Sequence, residues 1–224
     1  MTPNNQRTPA EFRSLVVSRH ARVGIIGDPA AATEAWLILH GYGMLAQGIL
    51  HWFRGAERAG RVLIAPEGLS RFYTELGDSR RAVGASWTTR EDLSNELQDQ
   101  HEYLEQAIDE LLPQAPSLQV HGFSQGVSVG SRWCVRTAKR VTRLVCWAGT
   151  IPEEVAADDL KRVLRHEPLH LVVGDRDSRV PPAKVEADES RLGAAALAVK
   201  LHRFAGGHWV DEGVLAELAQ SPKP

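Results

Sequence analysis

Residues 122–126 read Gly-Phe-Ser-Gln-Gly, which matches the Gly-x-Ser-x-Gly pattern of a nucleophile elbow. Strand-type residues precede the pattern and a helix-compatible run follows it, as expected for a tight turn that presents a serine hydroxyl at the end of a sheet. Such a turn brings backbones close together and leaves no room for a Cβ on either side of the serine. The pattern predicts that Ser124 is a nucleophile. The alternative is a glycine-rich turn that only opens a helix.

Three other glycine-containing loops could bring reactive groups to Ser124. They read His-Gly-Tyr-Gly at residues 40–43, Gly-Asp-Arg-Asp at 174–177 and Gly-Gly-His at 206–208, and each follows a strand-like run. Because the carboxyl ends of parallel strands share one edge of a sheet, these loops are expected to converge. The chain order serine, acid, histidine is that of one large group of serine hydrolases.

The residue types fit acyl transfer. A serine hydroxyl needs a base to take its proton, and His208 is the predicted base, oriented by Asp177. The negatively charged oxygen of a tetrahedral intermediate needs two fixed donors. The backbone N–H groups of Gln125, just after the nucleophile, and of Tyr42, in the earlier loop, are predicted to form this oxyanion hole.

Each assignment has competitors. Asp177 is preferred over Asp175 because it lies farther into the loop, whereas Asp175 is a candidate for capping a turn. The chain has 9 histidines. His121 and His170 lie within strand-like runs and are expected in the core, and His40 is expected to support the oxyanion loop. The rest lack a glycine-containing loop at a strand end: His20, His51, His101, His166 and His202.

The pattern of apolar runs predicts a doubly wound α/β fold. Continuous apolar runs, typical of strands covered on both faces, alternate with helix-type periodicity from residue 35 onward. The predicted strands are 35–39, 61–65, 118–121, 144–149, 169–173 and 198–204; the predicted helices are 44–58, 91–112, 127–138, 153–166, 183–195 and about 209–219. Residues 15–17 and 23–26 could form an antiparallel N-terminal hairpin. The sheet should otherwise be mostly parallel. One domain over residues 1–224 is expected, with a loose tail over residues 1–11.

Residues 69–90 form the longest segment predicted to be irregular. Its aromatic side chains favour a packed loop over a pocket. Four tryptophans lie near or between the reactive loops, namely Trp52, Trp87, Trp147 and Trp209. They could line an apolar acyl groove, with Trp87, Trp147 and Trp209 as the candidate pocket residues. The alternative is that most of them belong to the core.

Composition argues against several other functions. The 224 residues carry 26 Lys+Arg and 28 Asp+Glu, a net charge of −2 that offers no strong field for nucleic acid. Phosphate-binding, dinucleotide-binding and zinc motifs are missing from the sequence, so neither a metal nor a cofactor is expected. The start lacks a signal-peptide pattern, no apolar run is long enough to span a bilayer, and the 2 cysteines lie in apolar contexts. We therefore expect no membrane insertion and a cytoplasmic location.

At these motifs the chain resembles the phospholipase/carboxylesterase group of the α/β-hydrolase fold, which includes acyl-protein thioesterases and bacterial carboxylesterases. The shared marks, over roughly residues 35–212, are Leu39-His40-Gly41, Ala65-Pro66-Glu67-Gly68, the elbow at 122–126, Gly174-Asp175-Arg176-Asp177 through Val180-Pro181, and Gly207-His208. The resemblance implies a triad of Ser124, Asp177 and His208 and favours the second aspartate of its loop. Residue 42 is tyrosine where the group often has leucine, and the segment from Phe72 to Trp87 is similar to that of bacterial esterases.

The expected activity is hydrolysis of short- to medium-chain carboxylic esters, a small-molecule substrate, through an acyl-enzyme intermediate. A thioesterase or lysophospholipase acting on longer acyl chains is the alternative. A catalytically silent hydrolase fold that binds a small molecule or a partner is a third. The sequence leaves open whether the protein forms a homodimer.

Overall fold

The structure, a computed structural model, describes residues 10–76, 80–114, 117–165 and 167–220. Within these ranges the strands are β1 (Val23–Ile26), β2 (Glu34–Leu39), β3 (Arg61–Pro66), β4 (Ser70–Leu76), β5 (Arg80–Ser86), β6 (Ser117–Phe123), β7 (Val141–Trp147), β8 (Leu169–Gly174) and β9 (Val199–Phe204). Seven form one sheet in the order β1-β3-β2-β6-β7-β8-β9, and β4 pairs with β5 alone. All neighbours in the large sheet are parallel except β1 and β3. The predicted α/β-hydrolase fold with a mostly parallel sheet is confirmed.

Helices cover both faces of the large sheet. They are α1 (Ala46–Trp52), α2 (Leu93–Leu111), α3 (Gln125–Arg136), α4 (Ala157–Leu164), α5 (Pro182–Ala194) and α6 (Glu212–Gln220). Strands β2, β3, β7 and β8 are buried along their full length, and the apolar run within each of them predicts this burial. Two core clusters flank the sheet, one centred on residues such as Leu104 and Leu144 and the other on Phe53 and Trp147. Within the described ranges every helix is too short or too polar to cross a bilayer.

The predicted antiparallel hairpin of residues 15–17 and 23–26 does not form. Residues 15–17 belong to no strand, and their side chains are exposed, whereas β1 pairs antiparallel with β3 at the sheet edge.

Residues 69–90, expected as a packed loop, instead contain the β4–β5 hairpin, in register from Ser70 opposite Ser86. Its two strands pair with each other outside the large sheet and carry many polar residues, so they lack the apolar runs that mark buried strands.

The expectation of one domain over residues 1–224 stays a prediction. Residues 1–9 of the expected tail lie outside the described residues, as do residues 77–79 of the 69–90 segment.

Candidate active site

The nucleophile elbow forms at the junction of β6 and α3. Ser124 adopts φ 53° and ψ −115°, a conformation that is strained for a side chain with a Cβ and is typical of functional turns. A Cβ on Gly122 would lie 2.4 Å from the carbonyl oxygen of Gly126, and one on Gly126 would lie 2.1 Å from that of Leu39. Both glycines are therefore required by close backbone contacts, which is the physical reason for the motif.

Ser124, His208 and Asp177 lie in one hydrogen-bonded chain. His208 Nε2 is 3.0 Å from Ser124 Oγ, and His208 Nδ1 is 2.8 Å from Asp177 Oδ2. Because a carboxylate accepts, Nδ1 is assigned the proton and Nε2 is left to accept the serine hydroxyl. This geometry suits general-base activation of a serine.

The two candidate acids occupy different environments. The Asp177 side chain is fully buried, and its Oδ1 accepts the backbone N–H groups of Arg179 and Val180, each at 2.9 Å. The Asp175 side chain is 55 % exposed, and its Oδ1 accepts the N–H of Gly206 at 2.9 Å. The structure thus brings Asp177 to His208, while Asp175 ties the acid loop to the loop that carries the histidine.

The two predicted oxyanion donors follow the carboxyl ends of β2 and β6, at the same edge of the sheet. Gln125 is the first residue of α3, so its N–H has no intrahelical acceptor, and the helix N-terminus favours negative charge. Within the described chain the N–H of Tyr42 forms no hydrogen bond, whereas that of Gly43 donates to Ala85 O at 2.8 Å. The Tyr42 side chain is 61 % exposed, and its ring lies against Phe72 with centroids 5.1 Å apart.

His40 holds the loop that carries Tyr42, as its position predicts. Its ring is buried, with Nδ1 2.8 Å from Gly41 O and Nε2 accepting the N–H of Gly68 at 2.9 Å. The adjacent Glu67 is also buried, and its Oε2 accepts the N–H of Ala46 at 3.2 Å, at the start of α1. Residues 66–68 (Pro-Glu-Gly) therefore anchor both the loop at residues 40–43 and helix α1, which follows that loop. In the sequence this segment stands out only as one of the marks shared with the phospholipase/carboxylesterase group.

His121 and His170 lie in the core, as expected. The His121 ring stacks on Trp36 with centroids 4.1 Å apart, and its Nδ1 accepts the indole N–H of Trp147 at 3.3 Å. His170 Nδ1 lies 2.9 Å from His202 Nε2. His166, another competitor for the base, lies outside the described residues.

Burial lowers the pKa of His40, His121, His170 and His202 below the ordinary 6.5. The folded state therefore resists a proton that the unfolded chain accepts, and the free energy of unfolding should fall as the pH drops below about 6.5. The fully buried His121 should contribute up to about 1.4 kcal/mol per pH unit to this fall. Urea unfolding of the wild type and of His121→Phe tests this between about pH 6.5 and 5. The variant should show a shallower slope; equal slopes would contradict it.

Two of the three candidate pocket tryptophans are buried. Trp147 is 0 % exposed and packs in the core, because β7 directs it onto the covered face of the sheet. Trp87 is 5 % exposed, with its ring against His40. We correct both assignments. Trp209 is 45 % exposed and follows His208 directly.

A groove of about 780 Å³ lies between β1 and α1. Its apolar lining includes Met44, Leu50, Trp52 and Val83. The Trp52 and Phe123 rings are nearly perpendicular, with centroids 5.1 Å apart, and the Phe123 and His208 ring centroids are 4.8 Å apart. The groove is thereby connected to the histidine through two aromatic contacts. Among the described residues, no cluster of three or more His, Cys, Asp or Glu side chains could hold a metal.

Comparison with known proteins places this chain in a family. The family model described as Phospholipase/Carboxylesterase matches residues 21–221. The chain is similar to acyl-protein thioesterase 2 of Zea mays, with 15% identity, a TM-score of 0.65 and coverage of 90% of this chain and 97% of that one. A carboxylesterase of Bacillus cereus gives 16% identity, a TM-score of 0.63 and coverage of 89% and 92%. A phospholipase/carboxylesterase of Dyadobacter fermentans gives 18% identity, a TM-score of 0.64 and coverage of 91% and 96%.

At these identities the structural likeness shows the fold, and no curated protein matches the sequence significantly. The family model, however, spans nearly the whole chain. The protein therefore belongs to the phospholipase/carboxylesterase family of α/β-hydrolases, and it is a serine hydrolase.

Proposed function

We propose that the protein is a carboxylesterase that hydrolyses short- to medium-chain esters through an acyl-enzyme intermediate on Ser124. The observation that carries the proposal is the hydrogen-bonded chain from Asp177 through His208 to Ser124. The family model gives independent support for ester hydrolysis.

In the proposed acylation step, Ser124 Oγ attacks the carbonyl carbon of the ester while His208 Nε2 takes its proton. The imidazolium that forms is stabilised by Asp177, whose second oxygen already accepts two backbone N–H groups and is therefore fixed. His208 then returns the proton to the leaving alkoxide, which departs as an alcohol. Water repeats the sequence on the acyl-enzyme, and the acid is released.

The charge that develops on the carbonyl oxygen would be held by the N–H groups of Tyr42 and Gln125. The N-terminal end of α3 adds a favourable dipole at the same place. Ser124 contacts this helix end directly, so the nucleophile and one donor come from adjacent residues.

A second candidate is a thioesterase or lysophospholipase acting on longer acyl chains. The groove between β1 and α1 supports it, because its apolar lining could hold an extended chain and its Trp52 is connected to His208 through Phe123. Acyl-protein thioesterase 2 of Zea mays shares the fold, but at 15% identity it does not decide between the two activities.

A series of p-nitrophenyl esters of increasing acyl length separates these candidates. We expect kcat/KM to peak at short or medium chains and to fall beyond about ten carbons. Each further methylene would add about 0.8 kcal/mol of binding free energy only if the groove buried it, and the short-chain proposal holds that the groove does not. Val83→Ser, at the groove wall, should then leave the profile unchanged. A rise that continues past that length and is lost in Val83→Ser would overturn the short-chain proposal in favour of the second candidate.

A cytoplasmic location is part of the proposal. Cys134 and Cys146 are both buried free thiols, which is the usual state of cysteines in a reducing compartment.

A further inference from the structure

The end of β5 and the residues after it lie between the two loops that carry the proposed oxyanion donors. We call residues 85–88 the bridging segment. On one side, Ala85 forms two backbone hydrogen bonds with the oxyanion loop: its carbonyl accepts the N–H of Gly43 at 2.8 Å, and its N–H donates to Met44 O at 3.2 Å. Tyr42 is the residue directly before this pair of bonds.

On its other side, the bridging segment is bound by the side chain of Gln125. The amide oxygen of Gln125 accepts the backbone N–H of Trp87 at 3.1 Å. Its amide nitrogen donates to Thr88 O at 2.9 Å and to Ser86 Oγ at 3.2 Å. Gln125 therefore offers its backbone N–H to the proposed oxyanion hole while its side chain holds the segment that also binds the opposite loop.

Trp87 completes the connection beneath the oxyanion loop. Its indole N–H donates to the carbonyl of His40 at 2.8 Å, and its ring packs against the His40 ring with centroids 4.8 Å apart. The side chain is 5 % exposed, so these bonds form in a dry environment where they are strong and directional. His40 and Gly41 precede Tyr42 directly, so the Trp87 bond restrains the backbone that presents the Tyr42 N–H.

We infer that the bridging segment sets the distance between the N–H groups of Tyr42 and Gln125, with Trp87 and the side-chain amide of Gln125 as its positioning residues. The inference rests on the proposed function. Neither group is placed to touch the reacting atoms: each acts through the backbone that it holds. The donor pair spans two loops that are joined by the same four residues, so a change in those residues moves one donor relative to the other.

This arrangement predicts a specific kinetic signature. Oxyanion donors must lie about 2.7–3.1 Å from the charged oxygen of the transition state, and a displacement of about 1 Å can cost about a hundredfold in rate. The uncharged ester interacts with them more weakly. Loss of a positioning group should therefore lower kcat and leave KM nearly unchanged.

The experiment compares Trp87→Phe, Gln125→Met and the double variant with the wild type on a p-nitrophenyl ester. Each single variant should lose about ten- to hundredfold in kcat with KM within about twofold.

Affinity for a trifluoromethyl ketone, which forms a charged tetrahedral adduct, should fall with kcat/KM. The pH–rate profile should keep its shape, because the contacts between His208 and Asp177 are untouched. The double variant should lose less than the product of the two single losses, since both act on one distance.

Trp36→Phe is the matched control. It also removes a buried indole N–H that donates at 2.8 Å, here to Glu34, away from the donor loops. It should lose stability but keep kcat. Thermal unfolding establishes that each variant is folded under assay conditions, and if Trp87→Phe is not, Gln125→Met carries the test.

Losses below about threefold in folded variants, or equal losses in Trp36→Phe, would overturn the inference. So would a loss confined to KM. Failure of the proposed function is distinguishable, because the wild type itself would then hydrolyse no ester.

Discussion

Replacing Ser124 by alanine is expected to lower kcat for ester hydrolysis by about 10⁶. The variant loses the only atom that could form the acyl-enzyme in the proposed mechanism, while His208 and the oxyanion donors stay in place. Residual hydrolysis through a water molecule held by His208 would remain. KM should change little, because the hydroxyl contributes little to binding of the uncharged ester. Steady-state kinetics on a p-nitrophenyl ester measure both parameters.

Ser131→Ala is the control for this change. Ser131 lies in the same helix, is buried, and donates its hydroxyl to Ser128 O at 3.3 Å. Its replacement removes one hydroxyl and one hydrogen bond away from the site, so kcat should stay within about twofold of the wild type. Wild-type turnover in a folded Ser124→Ala protein would refute the assignment of the nucleophile.

Replacing Asp177 by asparagine is expected to lower kcat by about 10⁴, the second largest effect. Asparagine keeps the shape of the side chain but can present an N–H where the carboxylate accepts the Nδ1–H of His208. The imidazole would then be held in the other tautomer, with its proton on Nε2, and could not accept the proton of Ser124. The negative charge that stabilises the imidazolium is lost as well.

Asp175→Asn is the matched control, two residues earlier in the same loop. Asp175 has a 55 % exposed side chain and bonds Gly206 rather than His208, so its replacement should cost less than about tenfold. A fall in kcat for Asp175→Asn, together with wild-type kcat for Asp177→Asn, would show that Asp175 rather than Asp177 orients His208. A circular dichroism spectrum and a thermal midpoint for each variant separate loss of chemistry from loss of folding.

Much of this architecture is predictable from the sequence because its signals are local. The strands β2 and β8 carry continuous apolar runs, and each ends in a glycine-containing loop, so their position inside a parallel sheet follows directly. Once the strands are parallel, their carboxyl ends share an edge, which is why Ser124 and His208 could be paired from 84 residues apart.

The features that escape prediction depend on contacts between distant, ordinary residues. Gln125 and Thr88 are 37 residues apart, and neither residue type predicts their hydrogen bond. The β4–β5 hairpin lacks a strong apolar pattern, so its strands resemble loop sequence. The tryptophans show the same limit: their positions in the sequence place Trp87 and Trp147 near the reactive loops, but only the fold shows that both are buried.

The site of covalent attachment of a fluorophosphonate probe tests the central claim most directly. Such a probe reacts with a serine whose hydroxyl is activated by a neighbouring base. The proposed mechanism predicts one adduct per chain, mapped by peptide mass spectrometry to Ser124, absent in Ser124→Ala and much slower in His208→Ala. An adduct on a different residue, or an active enzyme that the probe does not modify, would contradict the assignment of Ser124 as the nucleophile.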